Sequence, residues 1–488
     1  MIEKEKLVKI VGGGNVSYEQ EALDEYSSDI SFVKTIRPLC VVKPASSDEI
    51  QKIVNLANET LTPLVPVSSG PPHFRGDTVP SIGGTVIVDL SNMKKILNVD
   101  RPRRVAMVEP GVTFGELIPA AAKEDIRLNM PMLPRKSKTI VGSLLEREPV
   151  MMPKYQWDAA DPVACFEIIF GCGEEYRTGQ AAGPGTVKEQ WNAGAVQKSP
   201  FGPGSASWHR LVQGAQGTLG IVTWASMRCE ILPSMEEPFV LGHSNVNMLI
   251  ELAAWLIRLR VVNEIFILNN VNLAAIFTKQ WPQDYQYLKN VLPPWTLFYN
   301  VSGYELFPEE RVKADIEDIT DIIQRMGMEA GKAVGEISAV EILKTAQQSC
   351  AEPYWKLRHK GACEDIFFLT VNDSVEKHIT AMNDYVGKAG YPPSDLGVYL
   401  QPVTQGTGMH CEFNLFYDPA NPIEYNRVKT LSTSAVKGLL NHGAFFSRPY
   451  GENANIVFNR DAATVNLLRK LKSMFDPNHI MNPGKICF

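Results

Sequence analysis

The chain is poor in the features that send a protein to a membrane, to nucleic acid or to an oxidising compartment. Its opening, MIEKEKLVKIVGGG, holds no apolar run of the length a secretory signal requires. No window reaches the roughly eighteen uncharged apolar residues of a spanning helix; the stretch 239–257 is broken by His243, Asn245, Asn247 and Glu251. The net charge is only −6, and Lys and Arg are scattered singly, so there is no basic footprint for nucleic acid. Eight cysteines occur without a single CxxC pair, which argues against a disulfide framework, an iron–sulfur cluster and a metal site. A cytoplasmic protein without a membrane span is expected.

What is present is core-forming material in quantity. At 488 residues the chain exceeds one ordinary core, so two or more domains are expected. Residues 46–60 open on Ser and Asp, and Ile50, Ile53, Val54 and Ala57 recur at helical spacing. This helix joins an expected strand at 39–43 to another at 64–67, a βαβ unit. After residue 67 the chain enters SSGPPHFRGDTVP, a loop of small and polar residues. Free backbone N–H groups in a loop after a strand suit a diphosphate, because only bare backbone approaches so closely. Strands are expected at 85–90 and 104–108 with a basic turn between them. A helix follows at 113–124, then a strand pair over 165–176 and a long loop over 177–207. Composition shifts near Ile231-Leu232-Pro233. Beyond it, helices at 247–260 and 311–326 alternate with strands at 264–269, 296–304 and 410–417, and the tail opens with a helix.

Four blocks, taken in order, carry a family resemblance. They are the loop 66–80 with Val88-Asp89-Leu90, the turn Glu109-Pro110-Gly111-Val112-Thr113-Phe114-Gly115, the strand entry 217–223 and the tail 476–485. A fifth, Glu174-Glu175-Tyr176-Arg177-Thr178-Gly179, looks like the same family's hairpin. Together they resemble the vanillyl-alcohol oxidase / p-cresol methylhydroxylase family of FAD-linked oxidoreductases. The resemblance implies an α+β fold: an FAD-binding domain of two α/β subdomains over 1–232, a cap over 233–446, and a segment 447–488 that returns to the FAD-binding domain. It implies FAD contacts at Pro66, Val67, Ser68, Ser69, Gly70, Pro71, Pro72, His73, Gly76 and Asp77. Further contacts are implied at Glu109, Pro110, Gly142, Ser143, Gly217, Gly220, Ile221, Val222, Asn482 and Lys485.

The departures from the family are as informative. Pro71 and Pro72 stiffen the first loop and remove two N–H donors, so either Ser68, Ser69 and Gly70 carry the contacts or FAD is held more weakly. His73 falls about one residue from a position where relatives attach the flavin, and non-covalent FAD is expected. On the strand 409–417, His410, Glu412 and Asn414 alternate with Cys411, Phe413 and Leu415. The resemblance places His410 near substrate, where it can take a proton. Arg448 stands where phenol-oxidising relatives keep an arginine, whereas Ser447 and Arg75 stand where they keep tyrosines. Arginine suits carboxylate or phosphate, and Arg75 can equally face the FAD diphosphate.

The expected activity is removal of a hydride from a small alcohol, 2-hydroxy acid or benzylic substrate with an anionic group. Two alternatives stay open: a phenolic substrate held by Tyr450 or Tyr399, and a flavin-poor binding subunit of a larger complex. Expected partners are the small-molecule substrate and an electron-acceptor protein or subunit, in a homodimer or hetero-oligomer.

Overall fold

The computed structural model describes residues 2–183, 185–204 and 207–488. The first unit is the expected βαβ: β1 (Cys40–Val42), α1 (Ser47–Thr60), β2 (Leu64–Val67) and β3 (Val86–Asp89). Ser46 caps α1 by accepting the Glu49 N–H at 3.3 Å, and the helix buries Ile50, Ile53, Val54, Leu56 and Ala57 against the sheet. β3 lies between β1 and β2, parallel to both, and Val16–Ser17 adds an antiparallel edge to β1.

The second unit contains β4 (Ile96–Asp100), β5 (Val105–Val108), α2 (Phe114–Ala122), α3 (Ile140–Glu146), β6 (Val163–Phe170), β7 (Glu175–Arg177) and β8 (Gly220–Ile231). Its strand order is β4-β5-β8-β6-β7, with Ile126–Leu128 on the far end of β8. Every residue of β6 is buried, which explains an apolar run broken only by Glu167.

The third unit holds β9 (Met235–His243), α4 (Val246–Leu259), β10 (Ile265–Asn269), β11 (Trp295–Gly303), α5 (Pro308–Arg325), β12 (Ala362–Thr370), α6 (Val375–Lys388), β13 (Leu396–Val403), β14 (Gly408–Tyr417) and α7 (Pro422–Asn441). Among the described residues its strands run in the order β9-β11-β10-β13-β14-β12 and every pairing is antiparallel. One face meets α4 to α7 through Leu297, Ile366, Leu400, Cys411, Phe413 and Leu415. The opposite face turns Phe266, Phe298, Tyr399 and Phe416 toward the core of the second unit.

The chain then returns through α8 (Ala462–Phe475) to the first unit, where Leu64 donates to Ile480 O at 2.7 Å and Asn482 donates to Leu64 O at 2.8 Å. Lys472, 1% exposed, locks this return by bonding Asp476 and the carbonyls of Thr218 and Met481.

Three expectations need correcting. The basic turn between 90 and 104 contains β4, whose half-buried ILNVD edge strand was masked by the lysines and arginines that flank it. The loop expected over 177–207 falls partly on Pro184, Ser205 and Ala206, outside the described residues. The rest of it includes the helix Val187–Asn192, opened by a Thr186/Glu189 capping box. Three strands of the third sheet, β9, β12 and β13, were missed, because their mixed or wholly buried faces show no clean alternation.

Candidate active site

A long cavity of about 1690 Å3, counted with its open mouth, runs between the first loop, α3, the entry to β8 and the polar face of the third sheet. Of the residues singled out from sequence, Pro66, Val67, Ser68, Ser69, His73, Arg75, Asp77, Pro110, Gly142, Gly217, Gly220, Ile221, Val222 and Arg448 line it. The loop is fastened to α3: Thr139 Oγ1 lies 3.1 Å from the hydroxyls of both Ser68 and Ser69.

The remaining expected residues support the cavity from outside its wall. Gly70 donates to Ser137 O at 3.1 Å, and Ser137 donates to Pro71 O at 2.8 Å, which fixes the proline turn shared with Pro72. Gly76, at φ +73°, leaves no room for a Cβ, which would fall 2.3 Å from Val33. Glu109 accepts the Lys95 N–H at 2.8 Å and ties the residue before β4 to the one after β5. Ser143 donates to Glu148 at 2.7 Å. Asn482 spends its amide on the carbonyls of Asp77 and Gln216, at 2.9 and 2.7 Å. Lys485 donates to Gly76 O and Val79 O at 2.6 and 2.7 Å. Both tail residues thus brace the loop from behind. Gly220 is required by its neighbour strand, since a Cβ there would meet Ile169 O at 2.3 Å.

The walls carry a dense set of charges that the sequence reading missed. Lys138 pairs with Glu146 and lies 3.5 Å from Glu148; Arg75 bonds Glu146 at 2.7 Å. Burial works to raise the Glu146 carboxyl, but Lys138 and Arg75 overcome it and hold it at about 2. Burial and the Glu146 charge push Asp77 up to about 6. Across the cavity, Lys356 bonds Asp365 and Glu412, both at 2.6 Å, and keeps Glu412 ionised well below the usual carboxylate range despite burial. Tyr354, Tyr399 and Tyr450 also face the cavity, and burial raises all three phenols, so they are neutral donors. Glu146-Arg147-Glu148, directly after an apolar helix, is the one sequence signal that pointed to this cluster.

His410 sits behind the wall. It is 2% exposed, its ring is kept neutral by burial, and Nε2 lies 3.3 Å from the Glu412 carboxylate that does reach the cavity. Arg448 is 4% exposed and donates from Nη1 to Glu146 O at 2.8 Å. Burial and the nearby Arg75 charge lower its pKa. Among the described residues it has no carboxylate within 4 Å, so a buried cation with unused donors faces the cavity.

The cavity suits FAD on its own terms. His73, pushed down to about 3 by burial and by Arg135 and Lys138, keeps an Nε2 with no partner in the wall, and Thr78 Oγ1, in the same lining, is likewise unmatched. Buried polar atoms of this kind call for a bound partner. Arg135 and Lys138 at the same end answer an anionic diphosphate. The loop from Pro66 to His73, Arg135, Lys138 and Gly217 would hold it.

The comparisons with known proteins agree. Residues 38–178 match the family "FAD binding domain", and residues 405–486 match "FAD linked oxidases, C-terminal domain". The glycolate oxidase subunit of Bacillus subtilis is 23% identical over 99% of this chain and 96% of its own length. The 4-cresol dehydrogenase [hydroxylating] flavoprotein subunit of Pseudomonas putida is 21% identical over 99% of this chain and 94% of its own. The fold superposes on p-cresol methylhydroxylase with substrate bound at a TM-score of 0.83, with 20% identity, covering 99% of this chain and 96% of that one. These matches favour a flavin enzyme over a flavin-poor binding subunit. No helix among the described residues is long and apolar enough to cross a membrane. The chain is an FAD-dependent oxidoreductase with an FAD-binding domain and the C-terminal domain of FAD-linked oxidases, in a fold similar to that of p-cresol methylhydroxylase.

Proposed function

We propose that this oxidoreductase removes a hydride from the alcohol carbon of a small anionic substrate, a 2-hydroxy acid above all. The observation that carries the reading is Arg448: a buried guanidinium in the cavity wall, hydrogen-bonded to a carbonyl and paired with no carboxylate. A buried unpaired charge is costly, and a substrate carboxylate would answer it with bidentate geometry. Arg75 is already neutralised by Glu146 and serves to orient the neighbouring rings and acids. FAD supplies the two-electron acceptor when bound.

The chain's own groups handle the proton. Glu412 is ionised at the wall, and His410 stands neutral 3.3 Å behind it. As the substrate C–H bond gives up its hydride, the hydroxyl proton passes to Glu412, whose carboxylate His410 holds in place by donating its Nε2–H. His410 therefore positions and tunes Glu412 and has no contact of its own with the reacting carbon. The relative named for glycolate supports a hydroxy-acid substrate.

A phenolic substrate is the second reading. Tyr450 and Tyr354 offer neutral hydroxyl donors to a phenolate oxygen, Tyr399 would have to turn its hydroxyl from Gln401 at 2.9 Å to join them, and a relative named for 4-cresol supports the reading. In either case an electron-acceptor protein or subunit completes the proposed cycle, and a homodimer or hetero-oligomer is the proposed assembly. The test is an anaerobic screen of flavin bleaching with 2-hydroxy acids, neutral alcohols and 4-alkylphenols. Bleaching by hydroxy acids and not by the matching neutral alcohols is expected. Bleaching by phenols alone would transfer the assignment to the second reading.

A further inference from the structure

A second cavity, with about 770 Å3 of empty space counted to its mouth, adjoins the first. It lies where the edge strand β12 and helix α7 meet the segments 31–33 and 446–453. The two cavities share one partition: Phe74, Arg75, Asp365, Arg448 and Tyr450 line both. The ring of Phe367 stands in that partition, with the guanidinium carbons of Arg75 and Arg448 at 4.8 and 4.4 Å from its centre. Beyond the partition Phe32, Val33, Ile366, Val436 and Phe446 form an apolar stretch of the lining, beside Glu364, Glu452 and Asn453. Polar groups gather along α7, where Lys429, Ser432 and Thr433 occupy successive positions of one face. Phe32 is held there by stacking on Tyr417 at 5.7 Å and meeting Tyr425 edge-on at 5.2 Å, while Tyr417 donates to Ile30 O at 3.0 Å. The segment 30–33 is thus a fixed wall of the chamber.

Nothing in the redox chemistry proposed above uses this chamber. Its geometry relative to Arg448 does suggest a use. An anionic head anchored on Arg448 stands at the partition, with the charged cavity on one side and the apolar stretch of the second chamber on the other. We propose that the chamber takes the tail of the substrate, so that the preferred substrate is an anion bearing an apolar chain or ring of several carbons, larger than glycolate or lactate. This rests on the anionic-substrate reading and adds to it the class of side chain.

Straight-chain carboxylates from acetate to octanoate test it, because they bind without being oxidised. Titrate each into the FAD-loaded enzyme by calorimetry, in the wild type and in Thr433→Trp, which fills the chamber from a half-buried helix position. Val436→Ala, which enlarges the chamber, is the second variant. In the wild type, affinity should rise about three- to fourfold per added methylene beyond butyrate. Thr433→Trp should abolish that rise and leave acetate binding unchanged, and Val436→Ala should move the plateau to longer chains. Equal affinity for butyrate and octanoate in the wild type would overturn the tail chamber and leave the anionic reading standing. Absence of binding by any carboxylate would overturn both.

Discussion

Arg448 reaches across 302 positions of sequence to donate to the backbone carbonyl of Glu146 at 2.8 Å. That single bond joins the segment returning from the third sheet to the end of α3, and it does so at the rim of the cavity. It uses one donor of a guanidinium that has five, and the others point where no acid of the protein meets them within 4 Å among the described residues. Replacing Arg448 with Lys keeps the charge and loses the fork. Affinity for a 2-hydroxy acid should fall by about 1–3 kcal/mol. The flavin potential should move less, because a point charge nearly suffices to stabilise an anionic ring. Substrate titration and a potentiometric titration of the same variant give both quantities. If neither moves, Arg448 is a structural tie between α3 and the returning segment.

His410 and Glu412 divide one task. The carboxylate reaches the cavity and the imidazole does not, so His410→Ala should slow anaerobic flavin reduction by roughly a hundredfold without changing FAD content. A merely structural histidine would leave the pH dependence of that step alone. Loss of His410 should instead change it, since Glu412 would then answer to Lys356 and Asn414 without the imidazole. An unaltered rate and pH profile would remove the pair from the proton path.

The part of this arrangement that was readable in sequence is the part with local grammar. Ser46 before an apolar 3.6-residue period, strands bounded by Gly and Pro, and the alternation of His410, Glu412 and Asn414 each leave a pattern within a dozen residues. The charged cluster leaves only the short run Glu146-Arg147-Glu148. Lys138, Glu146, Lys356 and Asp365 sit in stretches that read as solvated faces, and what buries them is a partner far away in the chain, as Arg75 is for Glu146. The same holds for Asn482 and Lys485: the family resemblance implied cofactor contacts for them, yet only the folded chain shows them spent on the loop's own carbonyls. β13 was illegible for a third reason, since a strand buried on both faces has no alternation to detect.

Retention of the cofactor provides a separate test. His73 keeps an unpartnered Nε2 in the wall, which fits a hydrogen bond to bound FAD as the non-covalent reading expects. Acid or heat should therefore release yellow supernatant from the denatured protein. His73→Ala should weaken FAD retention by about tenfold, the usual worth of one buried hydrogen bond. Flavin fluorescence that stays with the polypeptide on a denaturing gel would show covalent attachment, and its loss in His73→Ala would name the residue.

Glu364, on β12 at the edge of the second cavity, makes stability depend on pH. Burial, opposed by the Ser432 hydroxyl at 2.6 Å and reinforced by Asp365, pushes its carboxyl up to about 7. In the unfolded chain a glutamate titrates near ~4.3. The folded chain therefore binds this proton more tightly than the unfolded one. The contribution is complete below ~4.3 and is lost as pH rises through about 7. The interval from ~4.3 to about 7 corresponds to at most ~4 kcal/mol, and less for a group that water still reaches. Glu364→Gln keeps a partner for Ser432 and cannot ionise. The wild type should lose more stability than this variant between pH 4.5 and pH 7.5, with the difference confined to that window. Denaturant unfolding at several pH values measures it directly. Parallel curves for the two proteins would mean that Glu364 is ionised and paired in the fold, and the buried neutral acid would have to be given up.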